Sequence, residues 1–193
     1  MKIEKVSCYK EWLPLDKRQF GILAIVAERK GFSGNLTTLC QLLSLSPQTN
    51  NKRKLKEAIE ELTKKDFCRC AKNGQKYSIQ NIPKEKEILI DPAAIDDLRN
   101  ERYSVGSVAW EQVLKVYLWI CQNSWDRVIT NAIISHDLGG VSESTISKAK
   151  RVLIEEFGAI NKQNESVKLD DGTFRIIGHH ICANAWWSYK GRN

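Results

Sequence analysis

Residues 36–82 read LTTLCQLLSLSPQTNNKRKLKEAIEELTKKDFCRCAKNGQKYSIQNI, and this stretch decides the fold. Its first apolar side chains recur every three or four residues, at Leu36, Leu39, Cys40 and Leu43. This spacing predicts a short helix with one apolar face, for which Asn35 or Thr37 can serve as the N-cap. Pro47 ends that helix, because proline disfavours helical geometry at the preceding residue and suits the first turn of a new helix.

A second helix follows, and its two faces differ in chemistry. The predicted buried stripe consists of Leu55, Ala58, Ile59 and Leu62. The opposite face presents Thr49, Asn50, Arg53 and Lys56. Since residues three or four apart share a face of a helix, small polar and cationic groups are left on the outside. A helix that lies in the major groove of DNA requires such a surface.

Two alternating runs flank Asn73-Gly74 and predict a β-hairpin. A tight turn of this kind needs positive φ at both central positions, which these two residues adopt more readily than most. Arg69, Lys72 and Lys76 lie near the predicted tip. The hairpin therefore adds a second cationic element directly after the basic helix.

The same arrangement recurs roughly 95 residues later. Residues 110–121 predict an amphipathic helix, residues 129–138 a short second helix, and residues 141–157 a third. The outward face of the third helix is expected to carry Ser144, Ser147, Lys148 and Arg151, opposite Ile146, Ala149, Leu153 and Phe157. A strand containing Lys162 begins after it, and the turn of the second hairpin falls either at 163–166 or at 170–173.

This duplication predicts two domains. We expect a first domain over residues 1–82, a linker over 83–107 that contains a short strand and a short helix, and a second domain over 108–193. The linker is indicated by Pro83 and the alternating charges after it. Residues 1–14 read as a polar and aromatic lead-in to a first helix capped by Asp16.

Composition narrows the class of partner. The formal net charge is +7 and the pI is near 9.1, which favours an anionic partner, with nucleic acid first and an acidic protein or a membrane surface behind it. No signal peptide or membrane-spanning run is recognised, so the six cysteines are expected to be reduced thiols in a cytoplasmic protein.

Both units resemble the winged-helix domains that are common in plasmid and phage proteins. The resemblance rests on residues 15–70, with their long first helix, the stretch 36–67 and the hairpin after it. It rests also on SHDLGGVSESTISKAKRVLIEEFGAI at 135–160, which fits the family pattern better. In the first unit Asp66-Phe67 replaces the glycine-apolar pair usual at the end of the third helix. The resemblance implies an α+β, mainly α fold of two winged-helix domains in tandem, each with three helices and a β-hairpin.

Two winged helices in tandem are similar to plasmid replication initiators, which bind DNA, and to the segregation and condensation protein B family, which mainly binds protein. The hypothesis is sequence-specific binding of double-stranded DNA, in replication initiation of a mobile element or in transcriptional regulation. The alternative is a protein-protein interaction module without direct DNA readout. The expected DNA-contacting residues are Gln48, Thr49, Asn50, Lys52, Arg53, Lys56, Arg69, Lys72, Lys76, Ser144, Ser147, Lys148, Arg151 and Lys162.

Catalysis, a metal and a cofactor are not expected. The sequence contains no recognisable nucleophile triad, glycine-rich phosphate loop or paired-acid nuclease spacing. Cys68 and Cys70 share a strand face, but zinc would need two further ligands and no Cys-x-x-Cys pair is present. His179-His180 with Cys182 is an equally weak metal signal.

The tryptophans raise the question of self-association. Trp119 lies off the main apolar stripe of its helix, which predicts a place at an interface between domains or subunits. Trp186-Trp187 can cover the domain junction or pair two chains. A homodimer would match a palindromic DNA site, whereas a tandem chain already contains two DNA-binding units. The sequence leaves both possibilities open.

Overall fold

The computed structural model describes residues 4–100, 103, 107–123, 129–184 and 187, with the backbone alone for His179. The chain is an α+β protein and divides into two compact units, residues 1–99 and 100–193. The boundary lies inside the predicted linker. No helix in the described ranges has the length and apolarity needed to cross a bilayer.

The first unit is built from four helices and five strands among its described residues. In chain order these are β1 (Val6–Tyr9), a 3-10 turn (Lys10–Trp12), α1 (Lys17–Glu28), β2 (Phe32–Gly34), α2 (Leu36–Leu42), α3 (Thr49–Lys64), β3 (Cys68–Asn73), β4 (Lys76–Asn81), β5 (Glu87–Ile90) and α4 (Pro92–Asn100). Strand β4 lies between β2 and β3 in an antiparallel sheet, and β1 pairs with β5 in a separate one.

The helix boundaries follow the predicted caps. The Asp16 carboxylate accepts hydrogen bonds from the backbone N–H groups of Arg18 and Gln19, and the Asn35 amide oxygen accepts one from the N–H of Thr38. The predicted stripe of α3 is confirmed, since its four apolar residues are the buried ones on that helix. They pack against α2 and α1. The same core contains four residues with no solvent exposure: Phe20, Leu23, Leu39 and Ile79.

The first unit also includes β5 and α4, which lie outside the predicted first domain. The lead-in contains β1, which the sequence patterns did not predict, and Val6 pairs with Ile90 of the strand expected in the linker. Helix α4 is fixed to α1 by an ion pair of 3.0 Å between Arg99 Nη1 and Glu28 Oε2. Burial raises the pKa of the Glu28 carboxyl, although the charge of Arg99 opposes this.

Asp66 follows α3 at the position where the winged-helix resemblance leads us to expect glycine. Its φ is 55°, in the left-handed region, and the equivalent turn of the second unit is formed by Gly158 with φ 56°. Aspartate tolerates this region better than most non-glycine residues. Asp66 therefore adopts, at the end of α3, the backbone conformation that Gly158 adopts in the second unit.

The described part of the second unit contains three α-helices followed by a hairpin. Its elements are α5 (Trp110–Gln122), α6 (Asn131–Asp137), α7 (Glu143–Arg151), a π-helical continuation (Val152–Glu156), β6 (Ile160–Lys168) and β7 (Phe174–Ala183). The turn between the strands contains Asp170, Asp171 and Gly172. Of the two turn positions that the sequence left open, the structure has the one at 170–173.

The prediction for Trp119 is wrong. Its side chain is 1% exposed, and Nε1 donates a hydrogen bond of 2.9 Å to Oδ2 of Asp137 on α6. Helix α5 is buried on nearly all sides, so a position off the main stripe still lies in the core. Trp187 packs on Tyr117 and Phe157 of the same unit, with ring centroids 5.0 and 5.1 Å apart. Trp186 lies outside the described residues.

Candidate nucleic-acid interface

The outward face of α3 is exposed as predicted. Gln48 is the N-cap residue but makes no capping hydrogen bond with its side chain, and Thr49, Asn50, Arg53 and Lys56 are all exposed. Lys52 is half-buried. The first two turns of the helix thus present amide, hydroxyl and cationic groups, while the carboxylates of the helix begin at Glu57.

The cations of α3 differ in their local pairing. Arg53 Nη1 lies 2.5 Å from Glu57 Oε1, and Lys56 Nζ lies 3.7 Å from Glu60 Oε1. Among the described residues, Lys52 and Lys54 have no carboxylate within ion-pair distance. Exposed pairs of this kind are weak, so an anion of higher charge density can replace the carboxylates.

The β3–β4 hairpin brings its own cations beside α3. Lys72 lies opposite Tyr77 in the strand register, and its ammonium is 5.5 Å from the centroid of that ring. Lys76 precedes Tyr77 directly after the tight turn, where Gly74 has a φ of 59°. Arg69, Lys72 and Lys76 are all exposed.

Helix and hairpin meet in two clefts. One, of about 210 Å³, is lined by Lys52 and Lys72 together with Tyr77 and the start of α2. The other, of about 550 Å³, is lined by Lys56, Lys64 and Lys72, and also by one carboxylate, that of Glu60. Lys72 lies between the two and joins them into one cationic surface, which we call the α3–hairpin surface: Lys52, Lys56, Lys64 and Lys72. Lys64 was not among the sequence predictions, and its spacing of eight residues from Lys56 places it about 80° further around the helix axis.

In the second unit the equivalent helix, α7, exposes two serines and two cations. Ser144, Ser147, Lys148 and Arg151 are exposed, as predicted. Ser147 accepts a hydrogen bond of 2.7 Å from Nδ2 of Asn131, which ties α7 to α6. Arg151 donates from Nε and Nη2 to both oxygens of Glu155, at 3.1 and 3.2 Å, and this contact raises the pKa of the guanidinium.

Lys150 points inward from α7. Its side chain is 4% exposed, and Nζ has no hydrogen-bond partner among the described residues. Burial, with a smaller contribution from the charge of Lys162 on β6, lowers its pKa to about 8. Lys162 itself is exposed, as a DNA-contacting residue requires.

The positive charge is concentrated in the first unit. Residues 1–99 contain 19 Lys and Arg against 13 Asp and Glu, a net of +6, whereas residues 100–193 contain 11 against 10, a net of +1. The turn of the second hairpin carries two aspartates where the first carries Lys72 and Lys76. The two units are therefore similar in element order and different in electrostatics.

The thiols show no reactive environment. Burial raises the pKa of Cys40, Cys68 and Cys70. In the part of the chain that the structure describes, no three His, Cys, Asp or Glu side chains come together in a way that could hold a metal ion. His180 lies 3.1 Å from Glu165 across the β6–β7 pair.

Comparisons with family models, curated proteins and solved structures give no match.

Proposed function

We propose that this chain binds double-stranded DNA sequence-specifically through two winged helix-turn-helix units, without catalysis, in replication initiation of a mobile element or in transcriptional regulation. The observation that carries the proposal is the convergence of Lys52 of α3 and Lys72 of the hairpin on one cleft. A recognition helix that enters the major groove and a hairpin that follows the adjacent phosphates need their cations on one continuous surface.

The supporting argument is electrostatic. Both clefts of the α3–hairpin surface are lined by ammonium groups, and the unit that contains them carries a net charge of +6. Each lysine that neutralises a phosphate releases condensed counterions, so binding becomes steeply dependent on salt. Arg53 and Asn50, which lie next to these lysines on α3, have the donors and acceptors that read base edges.

The experiment is a salt titration of duplex binding by fluorescence anisotropy. We expect Lys52→Ala/Lys72→Ala to weaken binding to every duplex and to reduce the slope of log affinity against log salt by about 2, since each lost phosphate contact contributes about 0.9. The matched control is Lys10→Ala/Lys86→Ala, which removes the same charge from two exposed positions beside the β1–β5 pair. Equal slopes for the two double variants would contradict the proposal.

Sequence specificity needs a separate measurement. Selection from random duplexes with the purified protein should enrich a defined site. Binding without enrichment would reduce the proposal to non-specific affinity, and no binding at all would favour the alternative, a winged-helix protein-protein interaction module. One observation favours that alternative for the second unit, which is nearly neutral and exposes apolar side chains on its hairpin.

A further inference from the structure

The β6–β7 hairpin carries most of the exposed large apolar side chains of the described chain. They are Val167, Leu169, Phe174, Ile176 and Ile177, and Leu89 on β5 is the sixth. Phe174 is 70% exposed and Ile176 is 54% exposed. Scattered single apolar residues are normal on a protein surface, but a contiguous group of them marks a place of contact.

These side chains are not needed by the core of their own unit. The base of the hairpin supplies the buried contacts through Ile160 and Ile181. Beyond that base, the described side chains from 161 to 177 are exposed, apart from half-buried Glu165. The apolar group thus lies on the part of the hairpin that extends away from the core.

The strands leave the hairpin open on its sides as well. Among the described residues β6 and β7 pair only with each other. Two exposed strand edges next to apolar side chains are a combination that natural proteins normally protect by covering or by pairing. The hairpin therefore has both apolar area and unpaired backbone groups available to a partner.

The register places the largest apolar groups on one face. Phe174 and Ile176 are two residues apart on β7 and so point to the same side of the hairpin. In the register they pair with Lys168 and Ser166 of β6, whose side chains lie on that side too. Ile177 is the extra residue of a bulge, because Ile176 pairs with Ser166 while Gly178 pairs with Glu165. We call Phe174, Ile176 and Ile177 the β7 apolar cluster.

Charges on the hairpin are arranged in two opposite groups. Asp170 and Asp171 form the turn. Behind it, Lys168 lies on the face of Phe174, and Arg175 lies on the other face. Asp171 accepts hydrogen bonds from the N–H and hydroxyl of Thr173, whereas Asp170 is exposed and unpaired among the described residues. An acidic turn next to basic strands is complementary to a second copy of itself.

We propose that the β6–β7 hairpin is a homodimerisation surface, in which the β7 apolar cluster of one copy packs against that of another across a two-fold axis. In such an isologous contact every interaction occurs twice, so the acidic turn of each hairpin meets Lys168 of the other, which shares the face of Phe174. The same chemistry argues against DNA as the occupant, because the aspartates at the turn repel phosphates.

The inference does not depend on the proposed function, since dimerisation is measured without DNA. Sedimentation velocity of the full chain over a wide concentration range should show a monomer-dimer equilibrium. Phe174→Ser/Ile176→Thr should shift it to monomer, and Leu89→Ser, which changes the sixth exposed apolar residue, should leave it unchanged. Circular dichroism spectra that match the unaltered chain verify folding of each variant.

A charge exchange tests the geometry of the contact. Lys168→Glu replaces the cation on the contact face with an anion, and Asp170→Lys makes the turn more basic, so each variant alone should dimerise at least ten-fold more weakly. A mixture of the two variants should regain dimers, because each hairpin then meets the opposite charge. Failure of the mixture to regain dimers would overturn the two-fold arrangement.

Two further results would overturn the proposal. One is an unaltered chain that sediments as a monomer at all concentrations. The other is a Phe174→Ser/Ile176→Thr variant that keeps the dimer. If the unaltered chain is monomeric and this variant loses DNA affinity, the hairpin contacts the duplex instead.

Discussion

The guanidinium of Arg53 contacts the carboxylate of Glu57 one turn further along α3, with 2.5 Å between Nη1 and Oε1. Its Nη2 donates to Oδ1 of Asn50 at 3.2 Å. Both ionic side chains are more than half exposed, so the pair stabilises the helix by only about 0.3–0.5 kcal/mol. The contact orients Arg53 but also gives it a competing acceptor.

Replacing Glu57 with glutamine should therefore strengthen DNA binding. Glu57→Gln removes a negative charge from the surface that we propose faces the phosphates, and it releases Arg53. We expect affinity to rise about two- to five-fold at low salt, with a smaller gain at high salt. Anisotropy at two salt concentrations measures this. Glu87→Gln on β5 is the control, and weaker binding by Glu57→Gln would mean that Arg53 acts only when Glu57 holds it.

A second substitution separates base reading from phosphate contact. Arg53→Lys keeps the charge but loses the two-pronged donor geometry that recognises a guanine edge. We expect the preference for the selected site over a mutated site to fall by about 1–3 kcal/mol, while the salt slope stays unchanged. A lower slope with intact preference would instead assign Arg53 to a phosphate.

The two units should contribute unequally to affinity. Lys148→Ala/Arg151→Ala should cost less binding free energy than Lys52→Ala/Lys72→Ala, because Arg151 is already engaged by both oxygens of Glu155 and its unit is almost neutral. Parallel anisotropy titrations at one salt concentration compare the variants. An equal or larger loss from the α7 variant would show that the second unit is the stronger reader.

Local patterns predicted the elements that are stabilised locally. The stripe of α3 and the β3–β4 hairpin depend on residues close in sequence, and both are present. The predicted position of the turn is wrong by one residue: Asn73 pairs with Lys76 inside the ladder, so the turn is Gly74-Gln75, and of Asn73 and Gly74 only Gly74 has a positive φ. Strand β1 was missed because it has only four residues and is stabilised by pairing with β5, whose Ile90 lies 84 positions after Val6. Such a pairing leaves no periodic signal in either segment.

The candidate site was predictable in the same limited way. Helical spacing identified which side chains of α3 face outward, but the convergence of Lys52 and Lys72 on one cleft depends on how the hairpin packs. The inward position of Lys150 could have been found, since it lies four residues after Ile146 and so on the buried face of α7. Its charge made it resemble the exposed lysines beside it.

The left-handed residue after α3 offers a stability test. Asp66 has a φ of 55°, where a side chain costs about 1 kcal/mol relative to glycine. Asp66→Gly should raise the free energy of unfolding by up to about 1 kcal/mol, and Asp66→Val should lower it by more than that. Urea denaturation measures both, and Lys65→Gly, at a residue with negative φ, should be destabilising.

The buried amine of Lys150 should make stability depend on pH. Its folded-state pKa is about 8, below the ordinary value of 10.5, so below pH 8 both states are protonated and the folded state bears the full cost of a buried charge. Between about pH 8 and 10.5 the unfolded chain binds the proton that the folded chain has released, and stability rises with pH. Lys150→Met removes the cost, which we place at roughly 1–2 kcal/mol at pH 7 after allowance for solvent screening. Its advantage over the unaltered chain should shrink from pH 7 to pH 10 in urea denaturation, whereas Lys148→Met, at an exposed neighbouring position, should show no such trend.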